Sequence, residues 1–359
     1  MFGRNKPARI LLTGGGTIGS VAPLLAIKDS LQQIGLPYTY YWVGTKFGPE
    51  RQMIMREGLP YKAIDSGKLR RYWSQDNFKD IPKILKAFGQ ALQILVLHRP
   101  QLIITAGSFV SVPLVIVGKL LGIPSLVHQL DYQPGLANKI MAKFAKKITV
   151  TFVKSLKDYG DKAEWLGSLL RGQFLYPLDE QEAKDFFGLH NDLPVLLVLG
   201  GGTGAQRIND LITIGLADLT RFCQIIHITG HNKETNLEVA NYYSFNFLYE
   251  EDMAKAYLAA DLVVSRAGMG TLTELSFLAK PTVLIPMPDS HQELNAKAVQ
   301  SGKGAIVLDE RKLTAPELSD IIQEIIYSHK LLDQMSSNIQ KVFKVGNKRM
   351  VKIVSHLVK

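Results

Sequence analysis

Two glycine-rich turns are the places where this chain could bind phosphate. Gly14, Gly16 and Gly19 follow the strand-like run ARILLTG in the spacing G-x-G-x-x-G, and a second turn, GGGTGA at 200–205, follows LLVL. Glycines in such turns let a phosphate approach the N-terminus of the next helix, whose unpaired N–H groups favour an anion. The pattern predicts a nucleotide or sugar-nucleotide ligand.

An oxidoreductase or UDP-sugar epimerase could use the same turns. Dinucleotide sites place an acidic residue about 20 positions further on, at the end of the second strand, to hold the ribose hydroxyls. Here that strand ends WVGTKFG, which has no acidic residue. The sequence therefore favours a transferase, with the oxidoreductase or epimerase and an inactive donor-binding scaffold as alternatives.

Two polar segments in the second half could bind a sugar nucleotide. In SRAGMGTLTEL, Arg266 and Gly268 lie at a predicted helix start and Glu274 lies two turns into that helix, where it could accept bonds from ribose hydroxyls. The alternative role for Glu274 is a favourable charge near the helix start, and that for Asp289 in the second segment is helix capping. In PMPDSHQELNAK, the side chains suited to sugar hydroxyls are Asp289, His291, Gln292 and Asn295.

The chain is long enough for two hydrophobic cores. Its 359 residues exceed the usual size of a single-core domain, and 46% are hydrophobic against 21% charged, which excludes disordered and fibrous classes. Its one cysteine, Cys223, favours a reducing compartment. We see no signal peptide and no apolar run of the roughly 20 residues that cross a bilayer. We expect a cytoplasmic protein.

Positive charge is concentrated in the first half. Residues 1–165 hold 23 Lys and Arg against 10 Asp and Glu, whereas residues 166–359 have a net charge of −3. Segment 68–86 mixes basic with aromatic and aliphatic side chains, as interfacial segments do. No nucleic-acid motif accompanies it. We expect this face to bind an anionic membrane surface; a solvated basic face is the alternative.

Strand-like runs alternate with helical patterns, which predicts an α/β fold with parallel sheets. They are ARILLTG, YTYYWVG, QLIITAG, PSLVHQL and KITVTF, then VLLVLGG, CQIIHITG, FNFLYE, DLVVSRAG, PTVLIPM and AIVLD. A polar stretch at 160–193 interrupts them. We predict Rossmann-like domains over 1–165 and 166–343, with a final basic helix at about 344–359 crossing back to the first. Ligands would bind in the cleft between them.

Four segments, GGTIGSVAP, HQLDYQPGLANK, GGGTGAQRIND and SRAGMGTLTELSFLAKPTVLIPMPDSHQELNA, make nearly the whole chain resemble the MurG family. The resemblance implies the GT-B fold, two Rossmann-like domains facing a central cleft. It also implies an inverting, metal-independent hexosyltransferase without a cofactor. That enzyme moves N-acetylglucosamine from UDP-GlcNAc to lipid I, giving lipid II for peptidoglycan synthesis, and so serves cell shape and division. A different lipid-linked acceptor is the alternative.

The resemblance assigns residues to both substrates. Glu274 would bind the ribose and Gln292 the sugar, and the full donor set is Arg171, Gly202, Thr203, Gly204, Arg266, Gly268, Glu274, His291, Gln292 and Asn295. The acceptor set is Gly15, Thr17, Gly19, Phe109 and Ser111, with Phe109 in place of the family's tyrosine.

Departures from the family pattern lie on the acceptor side. Ser20 stands where the family's first loop has a histidine, and the family's HEQN reads HQLD here. A serine cannot act as a base at pH 7 because its pKa is far above neutrality. We predict that Asp131 deprotonates the acceptor hydroxyl, with His128 as second candidate; Ser20 completes the catalytic set. The alternatives are a turn residue for Asp131 and a structural strand residue for His128.

The expected partners are UDP-GlcNAc, a lipid-linked acceptor and an anionic membrane surface, with no nucleic acid. Helix N-termini, Arg171 and Arg266 would stabilise the leaving diphosphate. A peripheral protein on the inner face of the plasma membrane is the expected location.

Overall fold

The computed structural model describes residues 7–65, 75–175, 179–202, 204–231, 233 and 237–358. The chain divides into two compact units: unit 1, residues 1–171 with 345–359, and unit 2, residues 172–344. The division therefore falls after Arg171 rather than after residue 165, and the final helix belongs to unit 1.

Unit 1 contains seven parallel strands. They are β1 (Ala8–Thr13), β2 (Tyr38–Thr45), β3 (Tyr61–Ile64), β4 (Leu102–Thr105), β5 (Ser125–Gln129), β6 (Lys147–Val150) and β7 (Ala163–Trp165). Their order is β3-β2-β1-β4-β5-β6-β7. The first helices are α1 (Ala22–Gln33), α2 (Glu50–Arg56), α3 (Gln75–His98), α4 (Ser111–Leu120) and α5 (Leu136–Ala142). Apolar cores on both sides of the sheet account for the nearly continuous apolar strands.

Unit 2 contains six parallel strands. They are β8 (Val195–Leu199), β9 (Gln224–Ile228), β10 (Tyr242–Phe245), β11 (Leu262–Ser265), β12 (Thr282–Leu284) and β13 (Ile306–Val307), in the order β10-β9-β8-β11-β12-β13. Its helices are α6 (Glu180–Phe186), α7 (Gln206–Ile214), α8 (Leu216–Leu219), α9 (Glu250–Ala259), α10 (Met269–Phe277), α11 (His291–Ser301), α12 (Ala315–Ile326) and α13 (His329–Ile339). The prediction of two Rossmann-like parallel sheets is confirmed.

In each unit the strand order reverses beside the strand that leads into a glycine-rich turn. In unit 1, β1 lies between β2 and β4, and in unit 2, β8 lies between β9 and β11. Ligands of open α/β sheets bind beyond the carboxyl ends of the strands at this reversal. The fold thus places each turn where a ligand is expected.

The prediction of a strand at FNFLYE is wrong. The strand in this region, β10, ends at Phe245, and residues 246–249 are irregular. Backbone pairing places Tyr242 opposite Ile225 of β9, and the Tyr242 hydroxyl bonds to His227 Nδ1 (2.9 Å). Phe247 stacks on the His231 ring beyond the sheet instead of pairing in it (4.9 Å between ring centroids).

The last helical pattern, 331–358, is two helices. Helix α13 ends at Ile339, and α14 (Asn347–Leu357) begins after an interval that contains Gly346. Met350 and Val354 of α14 are fully buried in the core that α1 covers. In the described part of the chain no helix is both long and apolar enough to span a membrane.

Candidate functional site

The first glycine-rich loop, residues 14–17, follows β1. Gly15 is buried, whereas Thr17 and Gly19 are exposed. Ser20 is buried in a short 3-10 turn, and its hydroxyl donates to the Thr17 carbonyl (3.3 Å). Of the residues predicted on this loop, Thr17 and Gly19 face solvent, while Ser20 closes the turn behind them.

Ser111, at the start of α4, connects the ends of β1 and β4. It is fully buried; its hydroxyl donates to the Thr13 carbonyl (3.0 Å) and accepts from Thr105 Oγ1 (2.9 Å). Phe109 packs against the unit 1 core. Both residues therefore hold the loop after β4 against the core of unit 1.

His128 lies inside the sheet of unit 1. Its side chain is fully buried on β5, with Nδ1 3.0 Å from Thr149 Oγ1 and Nε2 3.4 Å from Thr151 Oγ1. Burial lowers the pKa of His128 to about 3, because a charged imidazole would lose its hydration. A buried, weakly basic ring that is bonded at both nitrogens argues against His128 as the base.

Asp131 is half-buried in the loop that follows β5. Gln129 holds this loop: its Nε2 donates to the carbonyls of Asp131 (2.8 Å) and Gln133 (3.1 Å). Gln129 Oε1 accepts from Asn138 Nδ2 (2.5 Å) and the Tyr159 hydroxyl (2.9 Å). In the sequence, Gln129 was recognisable only as a departure from the family's HEQN motif. Its side-chain amide donates two hydrogen bonds and accepts two, and these four bonds hold the Asp131 loop in place.

The second glycine-rich turn follows β8 in unit 2. Thr203 lies outside the described residues, whereas Gly202 and Gly204 are partly exposed. Gly204 has a φ of 70°, and a Cβ there would overlap the Thr229 carbonyl at the end of β9. Glycine is therefore required for the turn to pack against the neighbouring strand, whether or not a phosphate binds.

Arg266 follows β11, beside Gly268, the N-cap of α10. It is 9% exposed, donates to the Ile285 carbonyl (3.0 Å) and forms an ion pair with Glu310. The carboxylate of Glu310 offsets part of the charge that Arg266 could offer a diphosphate. The sequence analysis did not identify Glu310.

Glu274 lies on α10, partly exposed. The hydroxyl of Tyr257, a buried residue of α9, donates to Glu274 Oε2 (2.8 Å). Burial, and then the charge of Glu274, raise the pKa of Tyr257 well above its usual 10, so the tyrosine stays a donor. This bond orients the carboxylate.

The start of α11 carries three of the predicted donor residues. His291 is exposed; Gln292 Oε1 accepts from the Met287 N–H (3.1 Å). Asn295 is fully buried and donates to the Ala267 carbonyl through Nδ2 (3.3 Å). Asn295 thus ties α11 to the end of β11, while His291 is the most accessible of the three.

Arg171, expected beside the donor, is the last residue of unit 1. It is 6% exposed, with Nε 3.2 Å from Asp29 Oδ2 and its amino group 2.7 Å from Glu57 Oε1. Lys28 completes this cluster, 2.5 Å from Glu57. Two carboxylates already bind the Arg171 guanidinium, and the donor residues on α10 and α11 belong to unit 2.

An aromatic group that the sequence analysis missed follows β9 and β10. His231 stacks on Phe247, and Phe247 meets Tyr249 edge to face (4.8 Å between centroids). Tyr249 is 43% exposed. The aromatic residues of FNFLYE were the available signal in the sequence, but they were assigned to a strand.

Among the described residues, no three His, Cys, Asp or Glu side chains group as metal ligands would.

Family models match both units. The glycosyltransferase family 28 N-terminal domain matches residues 10–150, and the family 28 C-terminal domain matches residues 195–350. Two relatives are named UDP-N-acetylglucosamine–N-acetylmuramyl-(pentapeptide) pyrophosphoryl-undecaprenol N-acetylglucosamine transferase. The protein from Clostridium kluyveri is 37% identical over 92% of this chain and 95% of its own length. That from Staphylococcus saprophyticus is 39% identical over 88% and 90%.

Solved structures show the same fold. The crystal structure of Acinetobacter baumannii MurG has a TM-score of 0.72 at 23% identity and covers 98% of this chain and 100% of its own. The glycotransferase of kitacinnamycin has a TM-score of 0.71 at 15% identity, with the same coverage. At these identities the likeness concerns the fold, and it is the fold of glycosyltransferases with two Rossmann-like domains.

Proposed function

The chain belongs to the MurG family within glycosyltransferase family 28, and from this membership we propose that it transfers N-acetylglucosamine from UDP-GlcNAc to lipid I, forming lipid II. The observation that carries the proposal is 37% identity over 92% of the chain to a relative named for this reaction. Transfer from a UDP-sugar to a different lipid-linked acceptor is the second candidate function, because Ser20 and Asp131 depart from the family's acceptor motifs.

The donor half of the proposal rests on unit 2. Glu274, oriented by Tyr257, would accept bonds from the ribose hydroxyls. His291 and Gln292 would reach the sugar, and the N–H groups at the start of α10, with Arg266, would face the diphosphate. We assign the diphosphate to Arg266 because it follows β11 in unit 2, beside the start of α10, whereas Arg171 belongs to unit 1 and is bound by two carboxylates.

The acceptor half rests on unit 1. Asp131 would remove the proton of the acceptor hydroxyl, which then attacks the anomeric carbon from the face opposite UDP and inverts it. The C–O bond to UDP breaks, and UDP leaves with its electron pair. His128 is a poor alternative, because its ring is fully buried and burial lowers its pKa to about 3. Gln129 would hold the Asp131 loop.

Release of UDP tests the reaction. The protein is incubated with UDP-GlcNAc and, in separate arms, lipid I, undecaprenyl-diphosphate sugars without the peptide, or no acceptor. Release with lipid I supports the proposal, and release only with another lipid arm supports the second candidate. UDP binding without release in any arm would show a donor-binding scaffold and contradict the transferase proposal.

We also propose a peripheral membrane site on α3 and the end of α4. Leu85, Leu92 and Val96 of α3 are 67%, 47% and 50% exposed, at spacings that place them on one helix face, and Leu120 of α4 is 80% exposed. Nearby basic residues include Lys83, Lys86 and Lys119. The predicted basic and aromatic residues Lys68, Arg70, Arg71, Tyr72 and Trp73 lie outside the described residues.

Vesicle flotation tests this site. Serine at positions 85, 92 and 96 should reduce binding to anionic vesicles at least tenfold, since apolar burial and charge both contribute. Binding by the unchanged protein should also weaken between about 0.05 and 0.5 M salt because exposed charges are screened. The matched control is Ile214→Ser, another exposed aliphatic side chain, in unit 2. Equal binding by the triple variant would contradict the site.

A further inference from the structure

Glu50, the first residue of α2, is a fully buried carboxylate that binds the first glycine-rich loop. Its Oε2 accepts from the Gly16 N–H (3.1 Å). Its Oε1 accepts from the N–H and hydroxyl of Thr45 (2.8 and 2.5 Å) and from the Tyr61 hydroxyl (3.2 Å), whose one hydrogen is shared with the Thr45 carbonyl (2.6 Å). All four donors are neutral, and within the described ranges no ion pair of Glu50 is found. The carboxylate is therefore held by hydrogen bonds.

Two further side chains hold the carbonyls of the same loop. Trp42 Nε1 donates to the Gly14 carbonyl (3.0 Å), and Ser108 Oγ donates to the Gly15 carbonyl (2.9 Å). Three consecutive glycines are thus fixed by β2, by the loop after β4 and by α2. A loop held in this way is ordered before its ligand binds, which lowers the entropy cost of binding.

The Glu50 carboxylate, as well as the turn conformation, explains why glycine is needed at positions around this loop. A Cβ at Gly15 or at Gly48 would overlap the Glu50 carboxyl group. Gly16 has a φ of 81°, which favours glycine. Its N–H, a group that a phosphate would need, points at Glu50. That N–H is therefore already bonded to a carboxylate inside unit 1.

We infer that Glu50 is a positioning residue for the acceptor: it fixes the 14–17 loop in the conformation that receives the acceptor's hydroxyl groups. The inference rests on the proposed function and on the family resemblance, which assigns Gly15, Thr17 and Gly19 to the acceptor.

Kinetics of Glu50→Gln and Glu50→Ala test the role. Glutamine keeps the size of the side chain but turns an N–H group toward one of the four donors, whereas alanine removes all four bonds. Loss of one bond to a charged group predicts an acceptor KM raised about tenfold in the glutamine variant, and more in the alanine variant. The KM for UDP-GlcNAc should stay within about twofold. An unchanged acceptor KM, or an equal rise in the KM values for the acceptor and for UDP-GlcNAc, would overturn the inference.

The matched control is Ser30→Ala. Ser30 is also buried in unit 1 and its hydroxyl donates to the Ala26 carbonyl (2.7 Å), but it lies near the opposite end of α1 from the loop. It should lower the melting temperature without changing the acceptor KM. If it raised the acceptor KM as Glu50→Gln does, the effect would be general destabilisation and the inference would fail.

Hydrogen exchange gives a readout that needs no activity. In Glu50→Gln, amides of the 14–17 loop should exchange about tenfold faster than in the unchanged protein, while peptides of unit 2 keep their rates. Failure of the unchanged protein to release UDP would contradict the proposed function, and exchange would still test Glu50. Equal loop exchange in both proteins would contradict the positioning role, even if Glu50→Ala does not fold.

Discussion

The polar side chains of unit 1 differ in how far the protein buries them. His128 and Ser111 bond only within the core region, whereas Asp131 lies half-buried in a loop and Thr17 is exposed. A proton acceptor has to reach the acceptor hydroxyl in a substrate complex. The burial of His128 therefore favours Asp131 as the general base, which was also the first candidate from the sequence.

Asp131→Asn tests that choice. The change keeps the shape of the side chain and leaves the Gln129 bond intact, since that bond uses the Asp131 carbonyl. We expect kcat to fall about 100-fold or more, because general base catalysis contributes on that order, while UDP affinity stays the same. UDP release measures kcat, and calorimetric binding of UDP measures the affinity. Asp158→Asn, an exposed carboxylate in the same unit, is the control; an unchanged rate in Asp131→Asn would leave Asp131 a turn residue.

Glu274→Gln tests the donor contact. A neutral amide accepts weaker hydrogen bonds from the ribose than a carboxylate, so the KM for UDP-GlcNAc should rise about tenfold. Tyr257→Phe should raise it less, because it removes only the bond that orients Glu274. Initial rates at saturating acceptor measure both. A donor KM unaffected by Glu274→Gln would show that the carboxylate serves α10 rather than the nucleotide.

Helix α14 shows how an element far along the chain completes unit 1. Asn347, its first residue, is buried; Oδ1 accepts from the Leu170 N–H (3.0 Å), and Nδ2 donates to the Leu170 carbonyl and to Ser30 Oγ (both 2.8 Å). Gly346 N–H donates to the Ser168 carbonyl (2.8 Å). The two points where the chain passes between units are therefore bonded to each other inside unit 1.

Asn347→Ala should destabilise unit 1. It removes three hydrogen bonds and leaves buried Leu170 groups without these partners, which costs about 2 to 4 kcal/mol in the free energy of unfolding. Urea denaturation followed by tryptophan fluorescence measures the loss, because all three tryptophans, Trp42, Trp73 and Trp165, belong to unit 1. Lys348→Ala, at the next and exposed position, should change it by under about 0.5 kcal/mol. A similar small change in Asn347→Ala would mean that the packing of Met350 and Val354 anchors α14 by itself.

At the scale of the molecule, each unit buries a neutral histidine on one of its strands, His128 on β5 and His227 on β9. Burial lowers the pKa of His128 in unit 1 to about 3 and that of His227 in unit 2 to about 4, from an ordinary value of 6.5. His227 bonds to Tyr242 and to Asn209, whose amide donates to the Thr229 carbonyl behind the second glycine-rich turn. Both units thus depend on an uncharged imidazole.

Stability should therefore fall as the pH is lowered from about 6.5 toward 4. The unfolded chain takes up a proton at each histidine in this range and the folded chain does not, so acid favours unfolding. Between pH 7 and 5 each histidine contributes a loss of about 2 kcal/mol. Thermal unfolding at the two pH values measures it. His227→Gln should be less stable at pH 7 and lose less on acidification; the same loss as in the unchanged protein would contradict the assignment.

The order of strands and turns was readable from the sequence, because apolar runs that fit parallel strands and glycines at their ends are local signals. The two Rossmann-like units, the glycine-rich turns and the family followed from them. Strand ends were not readable in the same way: FNFLYE, residues 245–250, has a strand's composition, but the strand that pairs with β9 is Tyr242–Phe245, which begins three residues earlier.

Tertiary structure decided which candidate residues are open to a substrate. Arg171 and His128 have suitable chemistry, and only their neighbours, Asp29 and Glu57 for one and two threonines for the other, show that this chemistry is used inside the protein. Glu50 carried no motif of its own. Its position against Gly15, Gly16 and Gly48 comes from β2 and α2 packing beside β1, and contacts between segments so far apart in the chain leave no local pattern.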